Sequence, residues 1–459
     1  MRIPKIFSIV FIFTLLFVLT IPANAQLGDT DTSSFAVQNV SGNDGVSVTI
    51  KFIAENGTEY SPTDLGGGLS NPFTLDDGES KLINVEDIPS AQLPSARYSL
   101  VVSSTDKVVV VASVAGDGTK RFTGSYSGFS TGATTTYLAS TAYQWYGWYS
   151  MISVMNLGSG PADVTVTINC SNGTGTTGTL TQLDIPSLAS HTFVLKSEVP
   201  TGFTSSTTCI GSSKITSDEN VVVVNNQNVP TLGSTNTFEG FPGGFDKLYV
   251  PNLSTNYYGW VSALNVLKLG SGSTTITIDY DDSEPNDTCN LTDTTPSCQL
   301  YMPAVHPTSG RYGAKITSSP SMELLVSVGG SHSAGNSGAY VGVNSGSESV
   351  AIPIAMKRYY NWVSAINCQN VSTTPSTLHF VYQDYPGDAY NHPTTLNEGD
   401  SIQVYVPTET FLPDGYFGGV IVSANTAGAE ISCVVGTSIE AGITTTPGDW
   451  TYQYNAIGK

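Results

Sequence analysis

The sequence predicts an all-β protein, a tandem array of four antiparallel β-sandwich modules. Three observations predict it. Charged residues make up 12% of the 459, against about 25% in an average soluble protein, and Gly contributes 46 residues. With helix-forming charged residues scarce and Val, Ile, Thr, Tyr and Ser abundant, strands and turns are favoured. Apolar and polar residues alternate over strand-length runs at 46–50, 164–168, 276–280 and 378–382. The chain also repeats itself. Tyr146-Gly147-Trp148-Tyr149-Ser150, Tyr258-Gly259-Trp260-Val261-Ser262 and Tyr360-Asn361-Trp362-Val363-Ser364 each lead through a Gly/Ser/Thr-rich turn into one of those alternating runs.

The elements follow in chain order. Residues 1–25 read as a secretory signal peptide: Arg2 and Lys5 at the start, an apolar run to Ile21, and Ala23-Asn24-Ala25 as a small-x-small cleavage site. Its removal takes away two positive charges and no acid, so the formal charge goes from −20 to −22. Such a charge argues against nucleic acid and anionic membrane as partners. No later run is apolar enough to span a bilayer. The expected location is secreted or at the cell surface.

Four copies then follow, at 26–128, 129–240, 241–342 and 343–459. Asn39, Asn156, Asn265 and Asn367 are taken as one landmark, Ser104, Ser217 and Ser318 as a second, and Tyr126/Gly128, Phe238/Gly240 and Tyr340/Gly342 as a third. A period near 105 residues exceeds a propeller blade or solenoid repeat and suits a sandwich of about seven strands. The short, Gly-containing joints predict beads in a row, hence a rod. Cys170 and Cys209, Cys289 and Cys298, and Cys368 and Cys433 fall pairwise within copies. Disulfides within each copy are the economical pairing in an oxidising compartment.

The first copy lacks the Tyr-Gly-Trp. The apolar segment that opens the other copies would fall there at about residues 20–23, inside the leader. The mature first module is therefore expected to lack its opening strand or to be trimmed, and an unfilled edge would admit strand addition from another chain, fibre formation included.

The Tyr-Gly-Trp-x-Ser pattern, with the alternating Val/Thr that follows, resembles tandem immunoglobulin-like modules of secreted bacterial cell-surface proteins. The resemblance covers 137–459 well and 26–128 loosely. It implies an extracytoplasmic, non-enzymatic protein with a structural, scaffold or adhesive role, and it carries no catalytic residues with it. Expected partners are other surface proteins, further copies of itself, or glycans. Asn361 in place of the Gly and the missing Trp of the first copy depart from the pattern.

Few residues read as chemistry. Trp148, Trp260 and Trp362, with Tyr146, Tyr258 and Tyr360, form repeated aromatic patches. They serve either packing or, as the alternative function, stacking on carbohydrate. Asp279, Asp281, Asp282, Glu284 and Asp287 offer hard oxygens to a structural calcium, although the EF-hand spacing is missing and a solvated hairpin tip competes. A glycoside hydrolase would need carboxylates such as Asp281 and Glu284 facing one groove. Gly128-Phe129-Ser130-Thr131-Gly132 matches a nucleophile elbow by letter, but a strand-like run follows it. The five histidines form neither HExxH nor HxH pairs.

Overall fold

The computed structural model describes residues 15–21, 31–116, 122–229, 233–333, 335–440 and 451–459. The leader expected at 1–25 therefore lies outside the described residues except for Leu15–Ile21. Strands hold 62% of the described residues and helices 2%, so the all-β prediction stands. The strands pair antiparallel throughout, in several sheets.

Two strand sets show the layering most simply. In the first, one sheet runs Leu15–Ile21, Tyr98–Ser104, Val46–Ala54, Glu59–Tyr60, and the facing sheet runs Ser80–Asn84, Asp31–Asn39, Val108–Gly116, Phe122–Ser127. The stretch after Gly244 repeats this order. Lys247–Thr255, Gly310–Ser319, Thr274–Tyr280 and Asp287–Leu291 face Ser297–Tyr301, Trp260–Lys268, Leu324–His332 and Ser337–Val341. Alternation explains the core. Phe35 and Val37 meet Val48, Ile50, Leu100 and Val102, while Leu264 and Val266 meet Ile276, Ile278 and Ile316. In the other two stretches single strands join the layers, Cys209–Val229 being 21 residues long and shared by both.

Small polar devices fix the register at equivalent places. The opening strands Ala133–Tyr143, Lys247–Thr255 and Ser349–Tyr359 each bulge, between Leu138 and Thr141, Val250 and Leu253, and Ile352 and Ala355. Pro251 and Pro353 sit inside their bulges, where a missing N–H breaks no ladder bond. The motif serine bonds back to the strand just past the bulge: Ser150, Ser262 and Ser364 accept the N–H of Ala142, Ser254 and Met356, each at 3.0 Å.

The third-landmark aromatic Tyr340, and Tyr454 at the matching place of the fourth copy, clamp the bulge itself. The Tyr340 hydroxyl donates to the Asn252 carbonyl (2.7 Å), and the Tyr454 hydroxyl donates to that of Ile354 (2.7 Å). Phe238 has no hydroxyl, and there Asn225 Nδ2 donates to the Ser140 carbonyl instead (2.9 Å).

The first landmark needs correction. Asn39, Asn156 and Asn370 end equivalent strands, and each amide closes the following arch. Asn156 Nδ2 donates to the carbonyls of Gly160 (2.7 Å) and Ile185 (2.9 Å), and its Oδ1 accepts the Gly158 N–H (2.7 Å). Asn39 and Asn370 repeat the pattern. In the third copy Lys268 stands at this place. Its Nζ donates to the Gly270 carbonyl (3.0 Å) and to Asp293 (2.8 Å), whose carboxylate accepts the Gly272 N–H (2.7 Å). An ammonium and a carboxylate thus divide the work of one amide. Asn265 and Asn367 lie three positions earlier and accept from Gln299 and Gln403.

The rod is also corrected. The closing strands Phe122–Ser127, Ser234–Glu239, Ser337–Val341 and Thr451–Asn455 pack each against the next, and the last returns to the first. The circuit is parallel and in register. Thr123, Ser125 and Ser127 donate their hydroxyls to the carbonyls of Thr451 (2.7 Å), Gln453 (2.9 Å) and Asn455 (3.0 Å). Ser337 Oγ donates to Thr235 O, and Asn455 Nδ2 to Val341 O. The side chains at these contacts are small and polar, and Gly124 admits Thr237 so closely that a Cβ there would lie 2.0 Å from its hydroxyl oxygen.

Glu239 lies partly buried on this circuit and accepts the Ser127 N–H (2.7 Å). Burial holds its carboxyl above the ordinary 4.5, despite the hydrogen bond. A raised folded value makes this group's stabilisation complete below the unfolded pKa, and it is lost as pH rises through the folded one. Glu239→Gln, which keeps the acceptor, should gain thermal stability on the native protein as pH is raised from about 4 to about 7. Melting curves that shift in parallel would remove Glu239 as the cause.

Three disulfides join the pairs the sequence suggested: Cys170–Cys209, Cys289–Cys298 and Cys368–Cys433. Cys170–Cys209 closes 39 residues. By chain entropy, replacing both with Ser should cost about 4 kcal/mol, measurable by calorimetry. A loss under about 1 kcal/mol would show that the unfolded chain is already restricted there.

Candidate ligand-binding face

The opening strands turn into their neighbours through two-residue hairpins. Trp145 and Trp148 exchange backbone hydrogen bonds (3.2 and 2.9 Å), as do Tyr257 and Trp260 (3.1 and 2.9 Å), and Tyr359 pairs with Trp362. Both central residues have positive φ: Tyr146 49° and Gly147 85°, Tyr258 48° and Gly259 85°, Tyr360 47° and Asn361 68°. This is the primed turn that suits strand twist, for which Asn-Gly is the natural pair. Gly fits the second place. Asn361 is the side chain that tolerates it best, which accounts for the departure in the third motif.

Tyrosine at the first place is costly. A bulky side chain at positive φ is an outlier, at about 1–2 kcal/mol per residue. The cost yields no burial. Tyr146, Tyr258 and Tyr360 are 85%, 82% and 79% exposed. Each phenol lies nearly perpendicular to the aromatic before it: Trp145, Tyr257 and Tyr359, at 4.9, 4.7 and 4.7 Å between centroids. The partner props the ring, which stays largely in solvent.

The supports differ but are rigid. His332 bonds the Tyr258 carbonyl through Nε2 (2.9 Å), and its ring lies 5.2 Å from Trp260. The Glu440 N–H donates to Asn361 O (2.9 Å), and Arg358 binds Glu440 through Nε and Nη2 and Asp414 through Nη1. Gln144 Nε2 donates to Ser205 O. Trp148, Trp260 and Trp362 are half-buried at the hairpin bases. The structure thus divides the predicted aromatics: the tryptophans pack and the tyrosines project.

All three tips lie at one end of the molecule. They neighbour Val229, His332 and Glu440, each at the end of the strand preceding a closing strand. Because the closing strands run parallel and in register around the circuit, those ends coincide. The hairpin of the first set would fall at 22–30, outside the described residues.

Of the five acidic candidates, Asp279 and Asp281 line one small groove with Lys315, Glu398 and Asp400. Asp279 lies 3.6 Å from Lys315, Asp282 3.1 Å from His306 Nε2, and Glu284 accepts from Thr308 (2.8 Å). Asp287 accepts the Tyr280 hydroxyl (2.7 Å). Asp281 accepts the N–H (3.0 Å) and hydroxyl of Ser401 across to the next strand set, beside Arg311, and desolvation there raises its pKa despite those bonds. Among the described residues no group of three potential ligands could hold a metal. Ser130 is followed by the strand Ala133–Tyr143 instead of a helix.

His306 is a residue the sequence gave no reason to single out. It is 2% exposed, packed between Tyr280 (4.2 Å) and Tyr312 (4.4 Å). With Asp282 it ties the acidic turn to the sandwich end.

No family model matches the chain, and no curated protein matches it. Among solved structures, Thermotoga maritima 1070 is similar at 12% identity over 25% of this chain and 94% of its own, with a TM-score of 0.18. The α-L-rhamnosidase of Streptomyces avermitilis, complexed with L-rhamnose, is similar at 8% identity over 84% of this chain and 53% of its own, with a TM-score of 0.15.

Proposed function

We propose that the chain is a secreted, non-enzymatic adhesive protein of four immunoglobulin-like modules, and that its tyrosine-tipped face binds polysaccharide. One observation carries the reading: three exposed tyrosines occupy backbone places where Asn or Gly would cost less. A side chain held at such a cost on the surface is kept for what it touches. A largely exposed phenol held against a second ring offers the flat, rigid, amphipathic surface on which a sugar ring stacks. Three such tips on one end suit a repetitive ligand, because each contact raises the effective concentration for the next.

The three disulfides accord with an extracytoplasmic location. The test is retardation of residues 26–459 in native gels cast with soluble polysaccharides (β-glucan, xylan, mannan, glycol-chitin). Retardation by at least one polymer, reversed by free oligosaccharide, supports the reading. Unchanged mobility in all of them, with no retention by polysaccharide from the producing cells, overturns it.

A further inference from the structure

The strand Leu15–Ile21 occupies the opening-strand place of the first set. It runs antiparallel along Tyr98–Ser104 with Phe17 opposite Val102 and Leu19 opposite Leu100. Later sets repeat the pairing: Leu248 opposite Ile316 and Val250 opposite Ala314, then Val350 opposite Val422 and Ile352 opposite Val420. Leu248, Val250, Val350 and Ile352 are buried core residues. The place expected at 20–23 is thus filled slightly earlier, and by the apolar heart of the leader.

A second feature shows that the site is built for a strand. Tyr126 is 1% exposed on its closing strand, at the position of Tyr340 and Tyr454. Those two hydroxyls clamp the opening-strand bulge at Asn252 and Ile354. The same step along the chain from Phe17 reaches Ile21.

We propose that, once the leader is cut away, the Tyr98–Ser104 edge becomes an acceptor for one extended, apolar, proline-free segment of about seven residues carried by a separate polypeptide. The inference rests on leader removal and is independent of the tyrosine-tipped face. The seated Leu15–Ile21 defines the ligand's chemistry and direction: apolar but for Thr20, and antiparallel to Tyr98–Ser104. A separate chain is the occupant we assign, since every described strand already pairs within its own sheet. Main-chain ladder bonds supply affinity, and alternate side chains, at the places where Leu248 and Val250 are buried in the later set, supply selectivity.

The experiment uses residues 26–459 and a synthetic peptide of residues 14–21 with lysines added at both ends for solubility. Calorimetric titration should show one saturable site per chain, and the peptide should raise the melting temperature. Amide exchange across 98–104 should slow by about tenfold or more on binding. A peptide carrying Leu19→Pro should bind at least about tenfold more weakly, since it loses a ladder donor and is forced out of register. Tyr126→Phe should weaken peptide binding about fivefold, as expected for one hydrogen bond, while leaving the melting temperature of the unliganded protein in place. Absence of binding, equal binding of the proline peptide, or full protection of 98–104 without peptide overturns the proposal. So does intact mass of the secreted protein showing that residues 15–21 are retained, because the edge is then filled by its own chain.

Discussion

Replacing Tyr146, Tyr258 and Tyr360 together with Asn will abolish polysaccharide retardation and make the protein more stable. The two effects have one origin. At the first place of a primed turn Asn is the favoured residue, and each replacement should relieve about 0.5–1 kcal/mol of backbone strain. Nothing buried is lost, because each tyrosine is about four-fifths exposed. Binding loses its stacking surface at three places at once. Single replacements should weaken retardation in part, since two contacts still share the ligand. Melting temperature and gel mobility check this on the same samples. A triple variant that melts lower, or that is retarded like the native protein, removes these tyrosines from the binding face.

Replacing Asn156 with Ala will be among the most destabilising single substitutions in the chain, at about 3–4 kcal/mol by denaturant titration. The side chain is fully buried and makes three hydrogen bonds that close an arch between the two layers. Truncation leaves the Gly160 and Ile185 carbonyls and the Gly158 N–H without their partner, and a buried unmet group costs about 1–3 kcal/mol. Asn370→Ala should behave alike. Lys268→Met tests the substitute arrangement. It should cost about 3 kcal/mol, because the Lys268 side chain is 1% exposed and its ammonium serves the Gly270 carbonyl. Asp293→Asn should cost much less, since Asp293 stands largely in solvent and an amide oxygen still accepts from Gly272. If Asn156→Ala costs under about 1 kcal/mol, the arch closes without its amide.

What the sequence disclosed, and what it concealed, follows from which signals are local. Alternation and turn residues are local, so the all-β architecture was legible, whereas the hairpin at Tyr146-Gly147 was hidden because tyrosine is not a turn residue. Cysteine pairing was legible because each pair lies within one repeat. The circuit was not. Thr123, Ser125 and Ser127 alternate with apolar neighbours as residues facing water do, and only their partners at Thr451, Gln453 and Asn455 show that the face is covered. The landmark slip at Asn265 and Asn367 has a chemical cause: a search for asparagine passes over Lys268, where two side chains do one amide's work. Asp281 looked like part of a solvated tip because Ser401, which covers it, is 120 residues away.

The circuit of closing strands has three joints bridged by continuous chain and one that is not. At that fourth joint Thr123, Ser125 and Ser127 each bond a carbonyl 328 residues away. Closing a span of that length instead of one repeat adds only about 1 kcal/mol of chain entropy, so the seam is affordable at equilibrium. It is slow to find, because it joins the most distant partners. Under tension it behaves differently from the other three. A load applied between the first and last strand sets reaches this seam before any covalent bridge shares it. Its parallel row of side-chain bonds would then be sheared together, and the closed circuit would open like a split washer while each sandwich kept its fold.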